Sequence, residues 1–510
     1  MKSKTSLFGL LALFATAIAL TAPPARAASL AFVDPVSALL NGPAITSDVN
    51  QLATGGTAVE GIGGDGVSQI VVRVSADSPG EQFTFQIFND QNQPSTSTAN
   101  DGALGAIGGG SPNRSQLIVT SVSTSSGPMA FAIYRAPIDF PRPGGGDANA
   151  AQRSVAIHWQ AAGAPAASSE SLTIIRPLVV LVHGLWGTPS DFDNFTPFLS
   201  DPRFAIQRAN FSFNIGHQIV ASTPWYFDTD AADANSLGFS YNAQQITSQV
   251  DNFINAFKAG ANPAGIAVAS VQADIVGHSM GGNITRTLPL EPYFASDTTF
   301  ARGDVHKLIT IDTPHLGSPL ATQLLLDDNA CVADTLAVAG LFTFQSVALY
   351  SRILTFSGAM GDLSGNGTGA SLSAALAALQ ADSTAPIYTP EIPTAFIAGN
   401  MNQQQLDGLE HPGIFVDLLR DACFDDTLAK DLTVSGWPTV VSNASDAIVP
   451  LTSQVNNLAG IIAAAAIHSP GAEDLGFLAP SALDAATPNP DRTVDLLNTP
   501  LTDPTYAALR

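Results

Sequence analysis

The sequence predicts an α/β fold preceded by an all-β, sandwich-like segment, and three observations carry that expectation. Between residues 28 and about 172, short runs alternate apolar and polar side chains and are separated by Gly- and Pro-rich turns. From residue 173 to 510, continuous apolar runs alternate with helically spaced segments, as in a parallel sheet covered on both faces. Within that second part, Gly277-His278-Ser279-Met280-Gly281 follows an apolar run and precedes a helical segment. In such a strand–turn–helix setting a G-x-S-x-G pentapeptide forms a sharp elbow, with glycines where backbone meets backbone and the serine pushed outward.

The elements follow in chain order. Lys2 and Lys4 precede the apolar run Leu7 to Leu20, and Ala25-Arg26-Ala27 offers a small-x-small cleavage site. Residues 1–27 therefore read as a signal peptide, and the mature chain as secreted or periplasmic. Strands are expected around Ile70 to Val74, Phe83 to Ile87, Leu117 to Val122, Met129 to Ile133 and Val155 to Trp159. Nothing in this half carries the residues of a site. The Ala-, Gly-, Pro- and Ser-rich stretch Ala161 to Ser169 reads as a linker or a strand connection. Leu178 to Val182 begins the second texture, followed by a helix with Ile246, Val250, Phe253, Ile254 and Phe257 on one face. Strands are expected at Ala273 to Val276, Lys307 to Ile311 and Thr394 to Ala398, and a late helix at Arg492 to Asn498. Residues 318–393, rich in Ala, Leu and Gly, form an insertion in the position of a helical lid or cap.

Composition narrows the partners. Charged residues make up 12% of the chain, about half the usual share, and the net charge is −23. No basic stripe exists to neutralise phosphates, which excludes nucleic acid as the expected partner, and anionic lipid is excluded as an electrostatic dock. No run after the signal reaches the roughly 18 apolar residues of a membrane span. The two cysteines, Cys331 and Cys423, suggest one disulfide in an oxidising compartment. On the chain-entropy account, closing a loop of that length stabilises by about 4–5 kcal/mol.

A serine hydroxyl needs a base to take its proton, and that base is normally a histidine oriented by a carboxylate. Where an elbow carries the serine, the chain order is Ser, then acid, then His. His411 and His468 follow Ser279 at a useful distance. His468, in Ile467-His468-Ser469-Pro470, is expected in a loop after an Ala-rich helix, whereas His411 would act from before the acid. Asp446, in Ser445-Asp446-Ala447-Ile448-Val449-Pro450, follows the strand-like Thr439-Val440-Val441 and would emerge at its tip. Asp312 also ends a strand and is the weaker candidate. The oxyanion donors are expected at the amide of Met280 and at Leu185, in His183-Gly184-Leu185-Trp186-Gly187, with Trp186 beside the substrate. His183 and His278 read as scaffold.

H-G-x-x-G after a strand, G-H-S-M-G, T-P-H-x-G-S at Thr313 to Ser318, S-D-x-x-V-P and a late histidine together resemble the secreted bacterial lipases and esterases of the α/β-hydrolase fold. The likeness runs from about Arg176 to the C-terminus, and the N-terminal β half lies outside it. It implies a carboxylic-ester hydrolase acting on an ester or lipid, with Ser279 as nucleophile, Asp446 as acid, His468 as base, and Leu185 and Met280 as oxyanion donors. No cofactor is implied. Some lipases of this type hold Ca²⁺ with an aspartate two residues after the histidine. Pro470 stands there, so no metal is assigned.

Overall fold

The computed structural model describes residues 29–35, 37–144, 146–185, 187–211, 237–319, 321–322, 358–381, 391–399, 449–456, 466–468 and 489–509. The first part contains strands β1 (Leu30–Asp34), β2 (Thr57–Ala58), β3 (Gly61–Gly63), β4 (Gln69–Ser75), β5 (Gln82–Phe88) and β6 (Ala103–Gly105). It continues through β7 (Gln116–Thr120), β8 (Val122–Thr124), β9 (Gly127–Arg135), β10 (Gln152–Ala161) and β11 (Ser168–Ile175), with short helices α1 (Val49–Thr54) and α2 (Thr98–Asp101). The expected alternation is visible in burial: β10 buries every second residue, from Arg153 to Trp159.

These strands make two sheets. One runs β2-β1-β4-β9-β6, with β8 on β9; the other includes β3-β11-β10-β5-β7. Ile70, Val72 and Val74 of the first sheet and Phe83, Phe85 and Ile157 of the second share one buried cluster, so the sheets pack face to face. The stretch from 161 to 169 is the connection of a hairpin, since β10 and β11 pair antiparallel from Gln152↔Ile175 to Trp159↔Ser168.

The second part contains β12 (Leu178–Val182), α3 (Thr196–Leu199), β13 (Ile206–Ala209), α4 (Phe239–Lys258), β14 (Val268–Ala269), β15 (Ala273–His278), α5 (Met280–Thr287) and β16 (Val305–Ile311). It continues with α6 (Gly358–Leu363), α7 (Ala374–Gln380), β17 (Ile392–Gly399), α8 (Leu451–Gln454), β18 (Ala466–His468), α9 (Asn489–Asn498) and β19 (Ala507–Leu509). Strands β13-β12-β15-β16-β17-β18 form a parallel sheet in that order, and β19 adds antiparallel to β17. Val180, Val182 and Ile275 face α4 and α5, whereas Val179, Leu181, Val276 and Ile309 face Phe198 and Leu497 on the other side. Burial on both faces explains why these strands read as unbroken apolar runs. No helix among the described residues is long and apolar enough to cross a membrane.

The two parts are stitched together. β14 leaves the second part to pair with β3, giving the second β sheet its outer strand. Lys307 Nζ reaches Asp139 at 2.9 Å with both side chains buried, and His306 bridges Asp274 Oδ1 (2.6 Å) and the Ile138 carbonyl (3.0 Å). The Arg176 guanidinium lies 4.5 Å from the Phe140 ring and 4.8 Å from that of Phe204. No local pattern in the sequence announces these pairings.

Candidate active site

Ser279 sits between β15 and α5 with φ 51° and ψ −125°, in a region that serine rarely occupies. Such a backbone costs on the order of 1–3 kcal/mol and persists only where the surroundings hold it. Here the Ser279 N–H donates to the Ile311 carbonyl at 2.8 Å, and the Ser279 carbonyl accepts from Gly282 N–H at 3.1 Å. A Cβ at Gly277 would meet Gly282 N at 2.6 Å, and one at Gly281 would collide with the Val182 carbonyl. The Ser279 hydroxyl does not cap α5, which leaves its oxygen for another task.

The loop after β12 lies directly on the elbow. A Cβ at Gly184 would sit 2.9 Å from Ser279 Cβ. Leu185 therefore follows a residue in contact with the serine, and Met280 heads α5, where the first N–H groups have no partner within the helix. His183 accepts the Phe211 N–H at Nε2 (3.3 Å) and stacks on that ring at 3.8 Å. That fixes the neutral tautomer with the proton on Nδ1, which donates to the Gly184 carbonyl at 3.1 Å. Burial pulls His183 down to about 4, so it braces the loop as a neutral ring.

Register places the remaining candidates. His278 pairs beside Ile311, Ile311 beside Ile397, and Gly399 beside His468. Ser279, Asp312 and the backbone of His468 thus emerge at the same edge of the sheet, with three strand spacings, about 14 Å, from the serine strand to β18. His468 ends a strand rather than lying in a loop, because Ala466–His468 pairs parallel to β17. Asp312 has φ 51° and is buried, and its Oδ1 accepts from Gly399 N–H at 2.6 Å. Asp446 and the strand expected at 439–441 lie outside the described residues, as do His411, Trp186, Pro470, Cys331 and Cys423. The described residues resume at Val449, three residues after Asp446, and Gln454 Nε2 donates to the Val449 carbonyl at 2.8 Å and to Gly399 O at 3.0 Å.

Residues 313–318 tie the neighbouring elements to this edge. Asn283 Nδ2 donates to Pro314 O (2.9 Å), and Ser453 Oγ accepts from Leu316 N–H (2.9 Å) while donating to Gly317 O (2.8 Å). Gln380 Nε2 donates to His315 O at 3.0 Å. Arg286, buried in α5, donates to His315 Nδ1 (3.0 Å) and to the Leu379 carbonyl (2.9 Å), linking α5 to α7. Burial, and then Arg286, hold His315 well below the usual histidine range, and its Nδ1 is already engaged as an acceptor by Arg286. Arg286 is the residue that sequence reading missed. An arginine inside a helix reads as solvated, and only burial by α7 gives it this role.

Residues 176–345 match the family model described as "Putative serine esterase (DUF676)". The match covers about a third of the chain and spans β12 with its loop, the elbow and β16. A comparison with curated proteins found no match. Among solved structures, an extracellular alpha/beta-hydrolase from a Paenibacillus species aligns at 16% identity over 43% of this chain and 77% of that one, with a TM-score of 0.22. A pyrethroid hydrolase, PytH, aligns at 16% identity over 30% of this chain and 47% of that one, with a TM-score of 0.17. A variant of PytH aligns at 14% identity, covering 48% of its own length, with a TM-score of 0.18. These overlaps are partial. The α/β architecture, the strained serine and the family match together support serine-esterase chemistry in general. Among the described residues no group of three or more His, Cys, Asp or Glu side chains could hold a metal ion.

Proposed function

We propose that this chain is a secreted serine hydrolase that cleaves carboxylic esters, a carboxylesterase or triacylglycerol lipase. The observation that carries the reading is the contact between Gly184 and Ser279, which brings an amide-rich loop against a strained, uncapped serine. In the proposed reaction Ser279 Oγ attacks the ester carbonyl while His468 takes its proton and Asp446 steadies the imidazole. The N–H groups of Leu185 and Met280 receive the oxyanion. The alcohol then leaves with the proton from His468, and water, deprotonated by the same histidine, releases the acid from the acyl-enzyme. Trp186 would line the substrate side of the oxyanion loop.

Asp312 is a second reading for the acid. It lies in the strand-end row between Ser279 and His468, while Asp446 has the chain order and the S-D-x-x-V-P motif. The insertion at 318–393, with α6 and α7, is assigned as a lid or cap over an acyl pocket. Residues 28–172, which supply most of both β sheets, are assigned as an accessory domain, and Cys331–Cys423 as a disulfide. An amide or thioester hydrolase would use the same triad, and a surface-binding protein with an inactive hydrolase domain would keep the fold without turnover.

A series of p-nitrophenyl esters of rising chain length, run with Ser279→Ala as control, tests the reaction and the acyl-pocket depth together. Ser279→Ala and His468→Ala should each lower kcat by about 10⁴ or more. Failure of a fluorophosphonate to label Ser279 in folded protein would sink the enzyme reading. Activity surviving in His468→Ala but lost in His411→Ala would move the base to His411. Activity surviving in Asp446→Ala but lost in Asp312→Ala would move the acid to Asp312.

A further inference from the structure

A cavity of about 390 Å³ lies between the β half and the turn that leads into β16. Its lining is mostly polar, with Asn41, Ser47, Gln69 and Ser111 beside a smaller apolar share from Val67 and Phe300, and Arg135 and Arg302 line it together. No aspartate or glutamate lines it, although the chain carries 43 acidic residues against 20 basic ones. Arg142, Arg153, Arg203 and Arg208 each face an aspartate. Among the described residues, neither Arg135 nor Arg302 has an ion-pair partner. The Nε of Arg135 is buried and has no acceptor among the described residues.

Two like charges beside one cavity, one with an unsatisfied buried donor, are costly unless an anion completes them. Burial, and then Arg302, push Arg135 below its ordinary value, so the two guanidinium groups do act on each other. The net charge of −23 does not repel a ligand here at close range, since exposed charges are screened beyond about 8 Å at physiological salt. The backbone is built for the cavity as well. Phe300 and Ala301 hold φ of 52° and 57°, an unusual pair of left-handed residues, and they set Phe300 and Arg302 on the cavity wall. The volume lies near the lower end of small-molecule pockets, roughly 300–1,000 Å³.

We propose that this cavity binds a small amphiphilic carboxylate, with the carboxylate between Arg135 and Arg302 and the short apolar part against Val67 and Phe300. Guanidinium forks match a carboxylate bidentately, and the apolar patch at Val67 and Phe300 gives a short hydrocarbon part a place that a bare inorganic anion would leave empty. Residues 300–302 precede β16, whereas Ser279 follows β15, so the cavity lies at the opposite edge of the parallel sheet from the elbow. It is a separate site, and it does not depend on the esterase reading.

The test uses the full chain, with calorimetric titration and thermal melts against sodium hexanoate, neutral hexanamide and inorganic phosphate. Hexanoate should bind saturably and raise Tm, with hexanamide and phosphate each at least about tenfold weaker. Arg302→Gln, at an exposed position, should fold as the parent does and weaken hexanoate about tenfold, with Arg135→Gln weakening it similarly. Hexanoate held elsewhere, for instance near Ser279, would be indifferent to Arg302→Gln. Unchanged affinity in that variant, equal binding of hexanamide or phosphate, or no binding to the parent chain would each overturn the proposal.

Discussion

Gln454 and Gly399 are bound in both directions: the Gly399 N–H donates to Gln454 Oε1 at 2.6 Å, and Gln454 Nε2 donates to Gly399 O at 3.0 Å. The same amide also holds Val449 O, so one side chain clamps the stretch following Asp446 to the tip of β17. Gln454→Ala should lower kcat on p-nitrophenyl esters by about 10–100-fold with KM little changed, since loss of position costs rate more than binding. An unchanged kcat would show that the clamp does not position the proposed acid, Asp446.

Gly184→Ala tests the proposed oxyanion loop. The added methyl would start 2.9 Å from Ser279 Cβ and must push the two backbones apart. Because oxyanion donors work only in place, kcat should fall by about 10²–10³. The melting temperature should move little, which separates displacement of the loop from unfolding.

Lys307 and Asp139 test the junction of the two parts. Both side chains are buried at 2.9 Å, and Asp139 Oδ2 also accepts the Leu501 N–H at 3.0 Å. Lys307→Met strands a buried carboxylate and should cost about 3–5 kcal/mol in denaturant unfolding. Lys307→Met with Asp139→Leu should recover much of that loss. A double variant no better than the single one would mean that the pair is not the source of the cost.

Asp304 provides a pH signature. It is buried with neither carboxylate oxygen hydrogen-bonded among the described residues, and burial followed by repulsion from Asp251 raises it from 3.8 to about 7. The folded state therefore holds a proton that the unfolded chain releases. Its contribution worsens as pH rises from about 4 to 7, and the penalty is complete above that. Asp304→Asn should raise Tm by about 2–4 °C at pH 8 and leave it nearly unchanged at pH 4. Melts at the two values check the sign, and equal shifts at both would contradict it.

Much of the fold is legible locally. The apolar run Leu178 to Val182 coincides with β12, and the alternation at Phe83 to Ile87 and Val155 to Trp159 falls within β5 and β10. The helix drawn from Ile246, Val250 and Ile254 is α4, and the late helix is α9. A strand between two neighbours, or a helix with one buried stripe, prints its period on its own residues. His468 was harder. Its Ala-rich approach has helical propensity, and only pairing with β17 makes Ala466–His468 a strand.

By itself, then, the sequence determined the periodic elements, the two textures of the chain and the serine elbow, because each depends on residues close together along the backbone. Only the tertiary structure decided that β14 crosses to pair with β3, that Arg286 is buried between α5 and α7, and that Arg135 and Arg302 share one cavity. Those outcomes depend on which distant surfaces exclude water together. A guanidinium's role is set by the neighbours that desolvate it, and these are named nowhere in its own segment of chain.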